Sequence, residues 1–208
     1  RYGCTPVQLL DRIGFFRYGG GGFHCVWMDE RDIEIMAEKK LWAVTCPGSN
    51  AKLASGIAPI DALAAAGVPL AIGTDGAGSN NALDMFREMY LVSVLQKLKL
   101  SDASAGSARR TLEMACVGGA RAMGLTECDD LAVGKRADLV VIDLERPNMQ
   151  PVNDIPCNLV YSGSKENVYM TVVNGQILYE NGEFHIDEDA ADIYARAADI
   201  KKRILAKG

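Results

Sequence analysis

Apolar residues in the first half of this chain fall in short unbroken runs. Each run is closed by glycine or polar turn residues, and each leads into a helical pattern. The first run is Phe23-His24-Cys25-Val26-Trp27, preceded by four glycines, Gly19 to Gly22, that read as a flexible connection. A helix is predicted over about Asp29 to Lys39, with Ile33, Ile35 and Met36 on its apolar positions. The second run, Leu41 to Cys46, is closed by Pro47-Gly48-Ser49-Asn50, and a helix follows over about Pro59 to Ala66. The third, Val68 to Thr74, ends in Asp75. A longer helix follows over about Ala82 to Leu98, with Leu83, Phe86, Met89, Tyr90, Val94 and Leu95 apolar. Short apolar strands alternating with helices predict βα units and a parallel sheet buried on both faces, an α/β fold. A further helix over about Ser107 to Met123 covers that sheet or leads out of it.

After Gly124 the pattern changes. Ala137 to Leu144, Asn158 to Tyr161 and Val168 to Val173 read as strands. Asn174-Gly175 then joins Val173 to the β-rich run Gln176 to Glu180, a strong signal for a type I′ hairpin. The tail from about Asp189 to Ala206 is helical in pattern. Two regions are therefore expected, residues 1–124 and residues 125–208. The chain opens at Arg1, and Thr5 and Pro6 are placed as N-cap and first residue of a helix in mid-protein. A piece of a longer protein is expected.

Composition narrows the function classes. With 208 residues, 49% hydrophobic and 24% charged, the chain has material for a substantial core. Its formal net charge of -5 argues against a nucleic-acid partner, which calls for a basic face. The one basic cluster, Lys201, Lys202, Arg203 and Lys207, falls at the end of the C-terminal helix, where it complements the helix dipole. The longest apolar stretch, Leu63 to Ile72, is interrupted by Gly67 and Pro69, so no membrane span is expected. The six cysteines (4, 25, 46, 116, 128 and 157) form no C-x-x-C pair. They read as reduced, buried residues of a cytoplasmic protein.

Candidate chemistry centres on two residues. Asp75 ends a buried strand and precedes a glycine-rich turn and a helix, the place where α/β barrels carry catalytic groups. The same carboxylate also suits a turn or a cap. His24 lies late in a strand two before the one ending in Asp75. Alternate strands of a barrel feed the same side-chain layer, so the two can converge on a metal or proton-handling site. His24 also suits a core histidine with satisfied ring nitrogens. His185 has no acidic or Cys/His neighbour at ligand spacing and reads as surface. Gly19 to Gly22 precede a strand and lack the following Gly-Lys-Ser/Thr of a phosphate loop. There is no G-x-S-x-G nucleophile motif. Ser79, Asn80 and Asn81 suit capping, or hydrogen bonds to a polar substrate.

Four segments carry a resemblance in common. They are Phe23-His24-Cys25-Val26; Ser49-Asn50-x-Lys52-Leu53-x-x-Gly56-Ile57-Ala58-Pro59; Gly73-Thr74-Asp75-Gly76-Ala77-x-Ser79-Asn80-Asn81; and Gly134-Lys135-x-Ala137-Asp138-Leu139-Val140-Val141-Ile142-Asp143. Together and in this order they resemble the amidohydrolase superfamily, and within it the 5-methylthioadenosine/S-adenosylhomocysteine deaminases and chlorohydrolase-like enzymes. The resemblance implies the last three strands of a metal-dependent (β/α)8 barrel plus the C-terminal share of a small β-sandwich. It implies hydrolytic deamination of an adenine nucleoside, in which a water activated by a divalent metal, commonly zinc, displaces ammonia. Asp75 matches the family's metal-ligating aspartate, which also accepts the water's proton. His24 matches the histidine that orients that water and stabilises charge. Asp75, Ser79 and Asn80 are the substrate-binding candidates. The family's remaining metal ligands and its general acid/base glutamate are expected before Arg1. The implied partners are a small-molecule substrate, the N-terminal half of the same protein and a second copy of the chain. The 208 residues alone are expected to be inactive and to leave a barrel edge exposed. Relatives often carry histidine at or near Thr45, a departure that bears on the subgroup. The alternatives are a guanine or cytosine deaminase, a triazine chlorohydrolase-like enzyme, or a non-catalytic scaffold.

Overall fold

A computed structural model describes residues 2–206, so the Lys207 end of the basic cluster lies outside the described residues. The chain divides into two compact units, Arg1–Arg136 with Asp143–Asn167, and Ala137–Ile142 with Val168–Gly208.

The first unit is built on a three-stranded parallel sheet. Helix α1 (Pro6–Arg12) starts as its sequence predicts, with Thr5 accepting from Gln8 N–H and Pro6 in the first turn. Strand β1 is Gly21–Phe23, so two glycines of the run belong to the strand and do not form a loose connection. The reason is steric: a Cβ at Gly21 would overlap Trp42 O on the neighbouring strand. Helix α2 (Glu30–Glu38) begins in a capping box between Asp29 and Asp32. Strand β2 (Trp42–Thr45) lies between β1 and strand β3 (Leu70–Ile72), with Phe23, Val44 and Ala71 in register. Among the described residues β1 has no strand on its outer side, and Phe23 there is 72% exposed.

Helix α3 (Pro47–Lys52) replaces the expected turn after β2, with Pro47 in its first turn, a position where proline costs no hydrogen bond. Helix α4 (Ile60–Ala65) leads into β3, and a single helical turn, α5 (Ala77–Asn80), follows it. Helix α6 (Met85–Leu100) is capped by Asp84 and begins later than the pattern suggested. Its buried stripe is Glu88, Met89, Val92, Ser93 and Gln96, while Tyr90 is 46% exposed. Three of those five are polar, which is why apolar periodicity located the helix but misplaced its inner face. Helices α7 (Ala108–Glu113) and α8 (Gly119–Ala122) are joined by a π-turn, where Gly118 lies so close to Leu70 O that a Cβ would overlap it. The core gathers Met36, Leu41, Ala43, Leu63, Ile72 and Val92, all under 6% exposed. Burying a leucine of this kind stabilises by roughly 1.5–3 kcal/mol.

The second unit is a four-stranded antiparallel sheet in the order β4 (Leu139–Ile142), β5 (Val168–Val173), β6 (Gln176–Glu180) and β7 (Glu183–Phe184). Asn174 and Gly175 turn β5 into β6 with φ of 51° and 78°, the left-handed pair a type I′ hairpin requires. The expected strand over Asn158 to Tyr161 is instead helical. Helix α9 (Ile155–Cys157), capped by Asp154, runs into a π-turn over Asn158–Ser162. Pro156 in the first turn and the Asp154 cap select helix over strand. Val160 from this segment is 1% exposed in the core of the first unit, so the change at Gly124 is not a single cut between domains. Helix α10 (Ala190–Leu205) closes the chain, capped by Asp189. No described helix is long and apolar enough to cross a membrane.

Candidate functional site

His24 and Asp75 stand at matching ends of β1 and β3, the two strands that flank β2. His24 N–H donates to Val44 O at 2.8 Å, which extends the β1–β2 ladder by one residue. Gly73 N–H does the same to Thr45 O at 2.9 Å on the other side. Beyond these bonds the backbone turns sharply: His24, Cys25 and Asp75 have φ of 66°, 50° and 60°. Left-handed backbone at such residues costs of order 1–3 kcal/mol and persists only where neighbours over-determine it. It brings His24 Nε2 to 3.9 Å from Asp75 Oδ2, beyond hydrogen-bonding distance, with the side chains 44% and 32% exposed. Both line an open groove of about 500 Å³ that also includes Ser49, Ser55, Phe23 and Trp27.

Helix α3 holds the pair. Ser49 Oγ donates to Asp75 Oδ2 at 2.6 Å, and Gly76 N–H donates to Asp75 Oδ1 at 2.7 Å. Each carboxylate oxygen thus accepts one of these two bonds. The Ser49 hydroxyl is the first cause that holds Asp75 down to about 2. The nearby Ser79 hydroxyl and Gly76 N–H add to it. Next along α3, Asn50 Oδ1 lies 2.8 Å from His24 Nδ1. An amide oxygen only accepts, so Nδ1 carries a proton toward Asn50 and Nε2 is the ring nitrogen that faces Asp75. Ser49 and Asn50 are 1% and 2% exposed. Reading Pro47 to Asn50 as a turn missed both as site residues. The available signal was Pro47, which opens a helix as readily as it ends a strand.

The other expected residues fall out as follows. Ser79 is half-buried beside Asp75, its Oγ donating to Gly76 O at 3.0 Å. Asn80 is 1% exposed and turned inward, with Nδ2 donating to Thr74 O and to Glu88 Oε1. Its side chain braces the loop and is not presented to a substrate, a correction to its expected role. Thr45 is 2% exposed within β2. His185 is exposed, as its polar surroundings suggested.

All six cysteines are thiols, but only Cys25 and Cys46 are buried, and Cys116 and Cys157 are exposed. The expectation of six buried thiols fails because the apolar pattern around Cys157 belongs to a short surface helix. Burial pushes Cys25 and Cys46 up to about 11, so both stay protonated at neutral pH. Among the described residues no three His, Cys, Asp or Glu side chains cluster to hold a metal.

Residues 2–178 match the Amidohydrolase family. The chain is 45% identical over 197 residues to a 5-methylthioadenosine/S-adenosylhomocysteine deaminase of Moorella thermoacetica, covering 94% of this chain and 46% of that protein. It is 43% identical over 199 residues to a 5'-deoxyadenosine deaminase of Methanosarcina acetivorans, covering 95% and 46%. Its structure is similar to the crystal structure of an adenosine deaminase from Xanthomonas campestris with bound zinc. There the TM-score is 0.92 at 39% identity, over 99% of this chain and 47% of that one. The chain spans about half the length of the curated relatives it matches.

Proposed function

The chain belongs to the amidohydrolase family, and on that premise we propose that it is the C-terminal portion of a metal-dependent hydrolytic deaminase of adenine nucleosides. S-adenosylhomocysteine and 5-methylthioadenosine are the substrates this reading favours, in line with the names of its relatives. In this reading the three parallel strands are the last three of a (β/α)8 barrel, and the antiparallel sheet is the C-terminal share of a β-sandwich. The observation that carries the proposal is the convergence of His24 Nε2 and Asp75 Oδ2, 3.9 Å apart, from two strands that flank a third.

In the reaction, water adds to the purine carbon that bears the amino group, the C–N bond breaks, and ammonia leaves behind a carbonyl. Asp75, held ionised by Ser49 and Gly76, takes a proton from the attacking water. His24, with Nδ1–H committed to Asn50, orients that water through Nε2 and steadies charge on the adduct. Ser79 sits beside Asp75 at the position for a substrate hydrogen bond. When bound, a divalent metal, zinc in this reading, lowers the pKa of the water. A catalytic zinc takes three protein ligands and one open position. Asp75 fits one of the three, and the described residues do not supply the others. The N-terminal half of the same protein is the partner this reading requires.

The test is ammonia release by the full-length protein from S-adenosylhomocysteine, 5-methylthioadenosine, guanine and cytosine, with metal content measured alongside. Metal-dependent release from an adenine nucleoside, lost in Asp75→Asn, supports the proposal. Release from guanine or cytosine alone redirects it to another amidohydrolase. A full-length protein without metal and without activity overturns it in favour of a scaffold. The 208-residue chain by itself is expected to release no ammonia from any of the four.

A further inference from the structure

Glu88 is a carboxylate with no exposure to solvent, on the inner face of α6. Among the described residues no cation lies within ion-pair reach of it. Burying an unpaired carboxylate is costly unless its oxygens are satisfied. Both are. Gly48 N–H, in the first turn of α3, donates to Oε2 at 2.7 Å. Asn80 Nδ2 donates to Oε1 at 2.8 Å. A Cβ at residue 48 would overlap Oε1, so glycine there makes room for the carboxylate.

The local chemistry demands an acceptor on both sides. Asn80 cannot turn its amide over, because Nδ2 also donates to Thr74 O at 2.6 Å. Its Oδ1 is left buried without a hydrogen-bond partner, a cost that the two Nδ2 bonds offset. A glutamine at 88 has one acceptor and one donor group, and its NH2 would face either the Gly48 N–H or the Asn80 NH2. Only a carboxylate accepts from both.

These two bonds reach the candidate reacting residues by one short step each. Gly48 precedes Ser49 and Asn50, which hold Asp75 and His24. Thr74, held through Asn80, directly precedes Asp75. We propose that Glu88 is a positioning residue: it ties the segment after β2 to the segment after β3, and so sets the separation of His24 and Asp75. The proposal rests on the reading of those two residues as the reacting pair, but the tie itself is measurable without that reading.

The test combines kinetics with amide hydrogen exchange, read by mass spectrometry, on the full-length protein. In Glu88→Gln, exchange is expected to quicken in residues 48–52 and 74–81 and to stay unchanged in residues 168–180. The kcat on the accepted nucleoside is expected to fall at least tenfold with KM within twofold. Asn80→Ala removes the bonds to Thr74 and to Glu88 Oε1 but leaves Gly48 N–H on Oε2, so its exchange quickens in 74–81 and not in 48–52. This second variant carries the test if Glu88→Gln does not fold. Exchange that rises across the whole protein, with kcat intact, reduces Glu88 to general stability and overturns the proposal. Unchanged exchange at both segments in a folded Glu88→Gln, or at 74–81 in Asn80→Ala, also overturns it. If the segmental exchange pattern appears while the unsubstituted protein deaminates no nucleoside, the tie stands and the functional reading is what fails.

Discussion

The two sheets use left-handed backbone for opposite reasons. In the antiparallel sheet it falls at Asn174, Gly175, Asn181 and Gly182, with φ of 51°, 78°, 47° and 96°. These are turn residues, for which such angles are cheap. At the ends of the parallel strands it falls at His24, Cys25 and Asp75, none of them glycine and Cys25 the least suited to it. Their backbone is held by Val44 O, and their side chains by Ser49, Asn50 and Gly76. Left-handed backbone at the ends of the parallel strands therefore coincides with the candidate site, whereas in the antiparallel sheet it only reverses the chain. The inference runs from the observed outliers to function.

The comparison breaks most readily at His24. His24→Gly keeps the left-handed turn and removes the ring. Activity of the full-length protein is expected to fall about 10²–10⁴-fold. Stability is expected to change by no more than about 1 kcal/mol, because relief of strain offsets the lost Asn50 bond. A large loss of stability in urea unfolding would mean the ring is structural and would end the contrast.

Gly48→Ala probes the packing behind the strained ends. It drives a methyl into Glu88, and a cost of about 1–3 kcal/mol is expected from overpacking. The thermal midpoint checks it. In the other sheet, Asn174→Ala should cost about 1 kcal/mol and leave kcat untouched. A fall in kcat there would show that the hairpin, too, serves the site.

The smallest effect is a pH dependence away from both sheets. Asp129, 7% exposed, accepts from Lys135 and from Arg121, and these bonds, Lys135 first, hold its carboxyl below the ordinary 3.8. The folded state thus binds a proton there less readily than the unfolded chain. The stabilisation is fully present above 3.8 and is lost as pH falls through the depressed value. The midpoint difference between the unsubstituted protein and Asp129→Asn should shrink as pH is lowered from about 5 into that range. A difference that stays constant would remove the ion triad from the account.

Where a local rule decided the outcome, the chain could be read directly. Thr5-Pro6 starts a helix, Asn174-Gly175 makes a hairpin, and the runs Leu41 to Cys46 and Val68 to Thr74 contain parallel strands, whereas the run Phe23 to Trp27 gives β1 only Phe23. The candidate pair was also legible, Asp75 at the close of its run and His24 as one of two histidines, inside an apolar run. The reading failed where two local rules competed. Pro47-Gly48-Ser49-Asn50 satisfies both a turn and a helix start, and Asn158 to Tyr161 has strand composition but follows a capped proline.

Local pattern by itself determined the strands β2 and β3, the helix start at Thr5-Pro6 and the hairpin, and it marked His24 and Asp75 as candidates. Periodicity and turn chemistry act over a few residues and need no partner. Only the tertiary structure decided that α3 holds both Ser49 against Asp75 and Asn50 against His24. It alone decided that Glu88, on a helix read as apolar, braces Gly48 and Asn80. Those bonds join residues 8 to 40 positions apart, and a buried carboxylate is tolerable only once the fold has brought its donors to it.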